Sequence, residues 1–225
     1  MCNYLGALVK NSGGSIMRTI TKQLPLTIAL LGTLSAGNVA VAAGSASANI
    51  GFASDYVFRG VLQTSASASA GLDYEMDGFY VGTWAGDVGT GLEYDLYAGY
   101  SGEASGISYD VNYTTYNYTD STFDDTYAEV NIGLGYGPIS VGYASGTFDN
   151  YGAEQDYTVT TISAEKNGFT ALYGSNGNDF SGTWFELGYS TDVGGFDTGI
   201  NYISSDKDLD DSDYMIMSLG KSFDL

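Results

Sequence analysis

The sequence predicts an all-β protein, an antiparallel transmembrane β-barrel of about twelve strands, with ten as the alternative count. Three observations predict it. Beyond Ala48 the chain falls into segments of about ten residues in which apolar and polar side chains alternate with period two. The links between them alternate between tight Gly-containing turns and longer acidic stretches. The last segment, Ser212 to Leu225, is itself a strand ending on Ser218, Gly220, Phe223 and Leu225, a spacing that resembles the closing-strand signal of outer-membrane barrels.

In chain order, the first strand sets Ala48, Ile50, Phe52, Tyr56 and Phe58 against Asn49, Gly51, Asp55 and Arg59. The second, Ser65 to Met76, sets alanines, Leu72, Tyr74 and Met76 against Ser65, Ser67, Ser69, Gly71, Asp73 and Glu75. Phe79 to Val88 is the third, its facing unresolved. The fourth opposes Leu92, Tyr94, Leu96, Ala98 and Tyr100 to Glu93, Asp95, Tyr97 and Gly99. In the fifth, Ser108, Asp110, Asn112 and Thr114 form the polar face; in the sixth, Glu129, Asn131, Gly133 and Gly135. Ile139 to Phe148 is the seventh. The eighth (Tyr157 to Lys166) and ninth (Phe169 to Ser175) alternate poorly, and their facing stays open. Glu186 and Gly188 mark the polar side of the tenth, and Asp197, Gly199 and Asn201 that of the eleventh.

Short turns are expected at Asp77-Gly78, Gly102 to Gly106, Gly137-Pro138, Asn167-Gly168 and Gly194-Gly195. Longer links are expected at Gly86 to Gly91, Thr119 to Thr126, Asp149 to Asp156, Asn176 to Gly182 and Ser204 to Asp213. Short turns on one rim and long loops on the other are the habit of an outer-membrane barrel.

Residues 1–43 carry no acid and three of the seven basic residues, Lys10, Arg18 and Lys22. The apolar run Leu24 to Leu34 is too short to span a bilayer as a helix, and small residues follow at Ala40, Ala42 and Ala43. This reads as a secretory leader whose functional start is Met17, with cleavage between about Ala42 and Ala48. The expected organisation is therefore a leader over 1–43 and one barrel over 44–225. The only Cys, Cys2, lies in the leader, which leaves the exported chain without a disulfide or thiol metal site. Four basic residues then face 27 acidic ones, a net charge near −23 that repels nucleic acid.

Alternation alone does not say whether apolar faces meet a core or lipid. The loop lengths, the even strand number and the terminal signal favour lipid. The polar faces, which then line a lumen, collect Asp55, Asp73, Glu75, Glu93, Asp95, Asp110, Glu129, Glu186 and Asp197, with Arg59 as the one basic residue among them. Arg59 is expected to neutralise one of the many close negative charges; the alternative is a pair with a lumenal carboxylate such as Asp73 that shapes a constriction. The tyrosines are expected mainly in the interfacial girdles and on the lipid face. Lys221 alone puts a charge on an apolar face, which requires it to lie near a rim.

The segments NIGFASDYVFRG (Asn49 to Gly60), GLDYE (Gly71 to Glu75), GFYVGTWAGDV (Gly78 to Val88), EYDLYAGYSGE (Glu93 to Glu103), YGPISVGY (Tyr136 to Tyr143) and GKSF (Gly220 to Phe223) resemble the TorF-like porin family of proteobacteria, also described as Gcw-type conserved hypothetical proteins. The most distinctive piece is SDYVFRG, Ser54 to Gly60. The resemblance implies an outer-membrane barrel and a pore, and supplies neither a substrate nor catalytic residues. The acidic loop Ser204 to Asp213 and the terminal Asp224-Leu225 depart from it.

With no His in the chain, His-based triads are excluded, and nothing singles out a catalytic carboxylate pair. Asp206, Asp208, Asp210, Asp211 and Asp213 resemble the start of a calcium loop, but Asp211 replaces its Gly and Met217 its bidentate Glu. The expectation is thus a non-enzyme without cofactor or metal site, a bacterial outer-membrane porin for passive, cation-preferring diffusion of small solutes. The alternative is a non-conducting surface barrel for adhesion or envelope integrity, whose acidic loops hold divalent cations. Expected partners are outer-membrane lipid and lipopolysaccharide, the barrel-assembly machinery, and small solutes or cations; nucleic acid is not among them, and the sequence names no oligomer.

Overall fold

The computed structural model describes residues 44–119, 126–150 and 153–225. The leader expected over 1–43 lies outside the described residues. Twelve strands form one closed barrel in which each pairs antiparallel with its sequence neighbours and the last pairs with the first. They are β1 (Ser45–Phe58), β2 (Val61–Met76), β3 (Phe79–Asp87), β4 (Leu92–Ala104), β5 (Ile107–Tyr118), β6 (Tyr127–Tyr136), β7 (Ile139–Asn150), β8 (Ala153–Lys166), β9 (Phe169–Asn178), β10 (Thr183–Asp192), β11 (Asp197–Ser205) and β12 (Asp213–Asp224). The count of ten falls away because the weakly patterned third, eighth and ninth segments all complete the wall.

Chain ends Ser45 and Asp224 share one rim, here the terminal rim. Its turns are tight: Asp77-Gly78, Ser105-Gly106 and Asn167-Gly168 each place two residues at positive φ, the conformation that lets a two-residue link follow the twist of the strands. Opposite, on the far rim, lie the β3–β4, β5–β6, β9–β10 and β11–β12 links. Most of the loop expected over Asp149 to Asp156 is instead ladder, with Asp149 opposite Glu154. The β1–β2 link also departs from expectation. It is a two-residue turn at Arg59 (φ 47°) and Gly60 (φ 82°), and β2 begins at Val61 rather than at Ser65.

Outward faces carry a continuous apolar belt, including Ile50, Leu72, Val81, Leu96, Val111, Ile132, Val141, Ile162, Leu187, Ile200 and Met217. That is far more exposed apolar surface than a soluble monomer tolerates, and it fits lipid contact. At the terminal rim, outward aromatic pairs such as Phe79–Tyr100 and Phe169–Tyr189, each with ring centroids 4.7 Å apart, make a girdle. Lys221 places its ammonium 4.7 Å from the ring centroid of Phe196, in the turn between β10 and β11. The facing of β3, β8 and β9 was unreadable because their inward positions are apolar too: Tyr80 and Trp84, Tyr157 and Val159, and Leu172.

Candidate functional site

The barrel interior has two unlike halves. Towards the terminal rim the inward residues are mostly small or polar: Asn49, Gly51, Ser69, Asp73, Gly82, Thr161, Ser163, Gly199 and Ser218 are half-buried, with water-accessible space around them, whereas Tyr80, Ser101, Ser108, Asp110 and Asn112 are buried against one another and the wall. Towards the far rim the interior is packed with Tyr56, Phe58, Trp84, Tyr116, Tyr127, Phe148, Tyr157, Phe180 and Trp184, all nearly inaccessible.

The packing is completed by the tip of the β1–β2 hairpin. The β1–β12 ladder stops at Ala53–Ser218, and the β2–β3 ladder at Ser69–Gly86; beyond them the hairpin ladders only within itself, with side-chain ties from Met217 N to Ser54 Oγ and from Ser67 Oγ to Asp87 O at its base. Ala66 at φ 60°, opposite Ser54, and a register shift between Tyr56 and Val57 bend it inward. The strict alternation expected for the first strand fails here. Tyr56 and Phe58, expected towards lipid, are buried in the lumen because the strand changes phase at Ser54, where the ladder with β2 is interrupted opposite Ala66.

From the tip, Tyr56 donates to Glu93 Oε1 on β4 at 2.7 Å, and Arg59 Nη2 donates to both oxygens of Glu129 on β6 at 3.1 and 3.2 Å. Leu62 N donates to Asp210 Oδ2 of the β11–β12 loop at 2.6 Å. Gly60 lies against Trp184 on β10, Ser205 on β11 and Leu209; a Cβ there would stand 2.7 Å from Trp184 Cβ. The alternative pairing of Arg59 with Asp73 is thereby corrected. Inward bending carries the guanidinium across the lumen to Glu129, while Asp73 accepts from Tyr97 Oη.

The wall carboxylates have aromatic and amide donors. Glu93 also accepts from Tyr118, and Glu129 from Tyr116 and Tyr157. Asp110 accepts from Tyr80 and Asn112, and Glu186 from Trp184 Nε1 and Asn201. Asp95 differs: it is 6% exposed, and its Oδ1 has no hydrogen-bond partner. Asp73 Oδ2, Asn131 Oδ1 and Asn201 Oδ1 are likewise buried acceptors without a partner. Asp55 stands half-buried at the bend and accepts from Ser65 and Ser54, with Ser65 exposed beside it. Glu75 and Asp197 are half-buried near the terminal rim. Thus Glu93, Glu129 and Arg59 are brought together by the tip, whereas Glu186, Glu75 and Asp197 stand apart from it.

Tyr97 lies inward, in line with its place on the polar face of the fourth strand, but Tyr56, expected towards lipid, is inward too, and the tyrosines as a group divide between the two faces. Tyr74, Tyr113, Tyr136 and Tyr173 do lie outside, but Tyr56, Tyr80, Tyr97, Tyr116, Tyr127 and Tyr157 fill the lumen, where each hydroxyl of Tyr56, Tyr80, Tyr97, Tyr116 and Tyr157 meets a carboxylate.

The acidic β11–β12 loop uses its carboxylates to fold itself. Burial alone would push the Asp206 carboxyl up, but hydrogen bonds from Thr183 Oγ1, Thr183 N and the Asp208 amide outweigh it and hold the group below the usual carboxylate range. Because the folded value lies below the unfolded one, this contribution is complete above the ordinary range and vanishes as pH falls through the depressed folded value. The protection of the Thr183 and Asp208 amides against exchange, relative to the unfolded rate at each pH, should therefore hold down to the ordinary carboxylate range and fall only below it, whereas Asp206→Ala should lower it throughout the range in which Asp206 is ionised. Among the described residues no three carboxylates converge as metal ligands.

A protein family described as "Bacterial protein of unknown function (Gcw_chp)" matches residues 39–221. No curated protein matches the chain. Among solved structures, a KdgM porin is similar with a TM-score of 0.53 at 8% identity, covering 79% of this chain and 98% of that one. A KdgM porin in complex with disordered oligogalacturonate gives 0.51 at 7% identity, covering 80% and 98%. A chain from a study of the in-meso crystallization of membrane proteins gives 0.54 at 10% identity, covering 80% and 84%. At these identities the likeness is one of fold.

Proposed function

The chain belongs to the Gcw_chp family of bacterial proteins of unknown function, and from that premise we propose that it is a porin-like channel of the bacterial outer membrane, passing small cations and small solutes rich in hydrogen-bond donors. The apolar belt, the aromatic girdle and the polar inner face support the membrane channel, as does the TorF-like resemblance. The cation preference is carried by one observation: the inner face holds Asp55, Asp73, Glu75, Glu93, Asp95, Asp110, Glu129, Glu186 and Asp197 against Arg59 among the described residues, an excess of negative charge that favours a cation over an anion. Of these, Asp95 is nearly inaccessible and its Oδ1 has no hydrogen-bond donor, so its charge is screened least by water and protein. The reading invokes no catalytic group. On it, Ser218, Gly220, Phe223 and Leu225 serve insertion by the assembly machinery, and the belt and far-rim loops meet lipid and lipopolysaccharide.

The test is the reversal potential of the purified, refolded barrel in planar bilayers across a KCl gradient at low salt, where screening is weakest. Cation selectivity is expected, and Asp95→Asn should lower the cation-to-anion permeability ratio about fivefold, the factor that matches a charge interaction of ~1 kcal/mol. An anion-selective parent, or selectivity untouched by Asp73→Asn and Asp95→Asn together, would overturn the cation reading. The packed far half favours a second reading, a surface barrel that never conducts, and a folded sample silent at all voltages would establish it.

A further inference from the structure

We infer that the β1–β2 hairpin tip is a movable plug, latched shut by Arg59 on Glu129, whose release opens the far mouth; as a gate, it rests on the channel reading of the barrel. Three features carry this. First, the tip is built to move as a unit: neither neighbouring strand ladders with it beyond Ala53 and Ser69, and the bend occurs at a register shift and at the left-handed Ala66.

Second, the three carboxylates that accept from the tip among the described residues each accept from at least one donor elsewhere. Glu93 takes Tyr56 from the tip and Tyr118 from β5; Glu129 takes Arg59 from the tip, and Tyr116 and Tyr157 from the wall; Asp210 takes Leu62 N from the tip and Tyr214 from β12. Withdrawal of the tip therefore leaves each of these three carboxylates with a donor, which lowers the usual obstacle to breaking a buried ion pair.

Third, the tip stands where it decides passage. Below it, half-buried small or polar residues such as Gly51, Ser69, Thr161 and Ser218 line part of the interior, and the tip bridges from β4 and β6 to β10 and β11 across the opposite half. Only Arg59 on it forms an ion pair among the described residues of the lumen, and this pair is nearly inaccessible to water, so salt screens it weakly and its loss acts directly on the docked state.

The test uses the full exported chain, which has no native Cys once the leader holding Cys2 is gone. Glu129→Gln should raise the open fraction by roughly tenfold, the effect of losing a hydrogen bond between charged groups, and the swapped pair Arg59→Glu/Glu129→Arg should return it towards the parent. A readout independent of conductance is labelling of Val61→Cys by a membrane-impermeant maleimide, slow in the parent, where Val61 is buried, and about tenfold faster with Glu129→Gln. Faster labelling with no current in any variant would keep the moving tip and remove the channel. Currents that ignore Glu129→Gln, with labelling unchanged, would overturn the gate and leave the channel standing.

Discussion

Glu129→Leu should lower the unfolding free energy by about 3–5 kcal/mol, because it leaves the Arg59 guanidinium buried without a carboxylate. The two partners of this pair are not equally dispensable. Arg59 Nη2 is held by both Glu129 oxygens, and the Glu129 side chain is 0% exposed. Removing the acid strands the cation and also takes the acceptor from Tyr116 and Tyr157. Removing the base is gentler: in Arg59→Leu the carboxylate keeps both tyrosine donors, so the loss should be clearly smaller. The double variant Arg59→Leu/Glu129→Leu should be more stable than Glu129→Leu alone, since two apolar side chains beside Phe58 carry no buried charge. Urea unfolding of the barrel in lipid vesicles measures all three. An unchanged midpoint for Glu129→Leu, or a double variant no better than that single one, would mean that the pair is solvated and the tip undocked in the folded protein.

How far this site could be read in advance depended on whether it obeyed the period of two. Barrel, strand number and belt follow from alternation, because a lipid-facing wall repeats the same choice at every second residue. The inward carboxylates of β4, β5, β6 and β10 keep to the same alternation. What alternation hid was the second packed region inside. Yet a trace of it exists: continuing the polar face of the fifth strand in twos past Thr114 reaches Tyr116 and Tyr118, that of the sixth reaches Tyr127 before Glu129, and that of the tenth reaches Trp184 before Glu186. Each polar face turns aromatic at the far rim, and in each case that end lies within the buried cluster or packs against it. The inward turn of the first hairpin left no such trace. Tyr56 and Phe58 continue the apolar phase of Ile50 and Phe52 without a visible break, and the change of face falls at Ser54, opposite the left-handed Ala66, where the β1–β2 ladder is interrupted. The partner of Arg59 left none either, since it is chosen across the lumen by the bend rather than along the strand.

Gly174→Ala should cost about 1–3 kcal/mol through overpacking, although it adds one methyl group to a residue of ordinary backbone conformation. The inward aromatics do not merely fill the far half; they lie across glycines of neighbouring strands. A Cβ on Gly174 would stand 2.2 Å from Trp184 Cζ2, one on Gly146 2.6 Å from Tyr157 Cζ, and one on Gly99 2.5 Å from Tyr80 Cζ. A flexible side chain would swing away from such an intrusion, but the Trp184 indole has nowhere to go. It is 2% exposed, its Nε1–H donates to Glu186 at 2.9 Å, and the Gly60 turn presses on its Cβ. Displacing it strains that hydrogen bond to a charged acceptor and disturbs the seat of the tip as well. Gly220→Ala is the matched control, for there the new Cβ meets only Ile50 O at 3.6 Å, an ordinary contact. It should leave the urea midpoint of the refolded barrel close to the parent's. Since Trp84 and Trp184 are the two tryptophans of the chain, a Trp84→Phe background makes Trp184 a single fluorescent reporter of its own packing. Gly174→Ala should shift that emission towards the solvent-exposed value and lower the midpoint together. Equal effects at Gly174 and Gly220, or an unmoved Trp184 spectrum, would show that the indole does not lie on the glycine and that the far half is looser than its burial indicates.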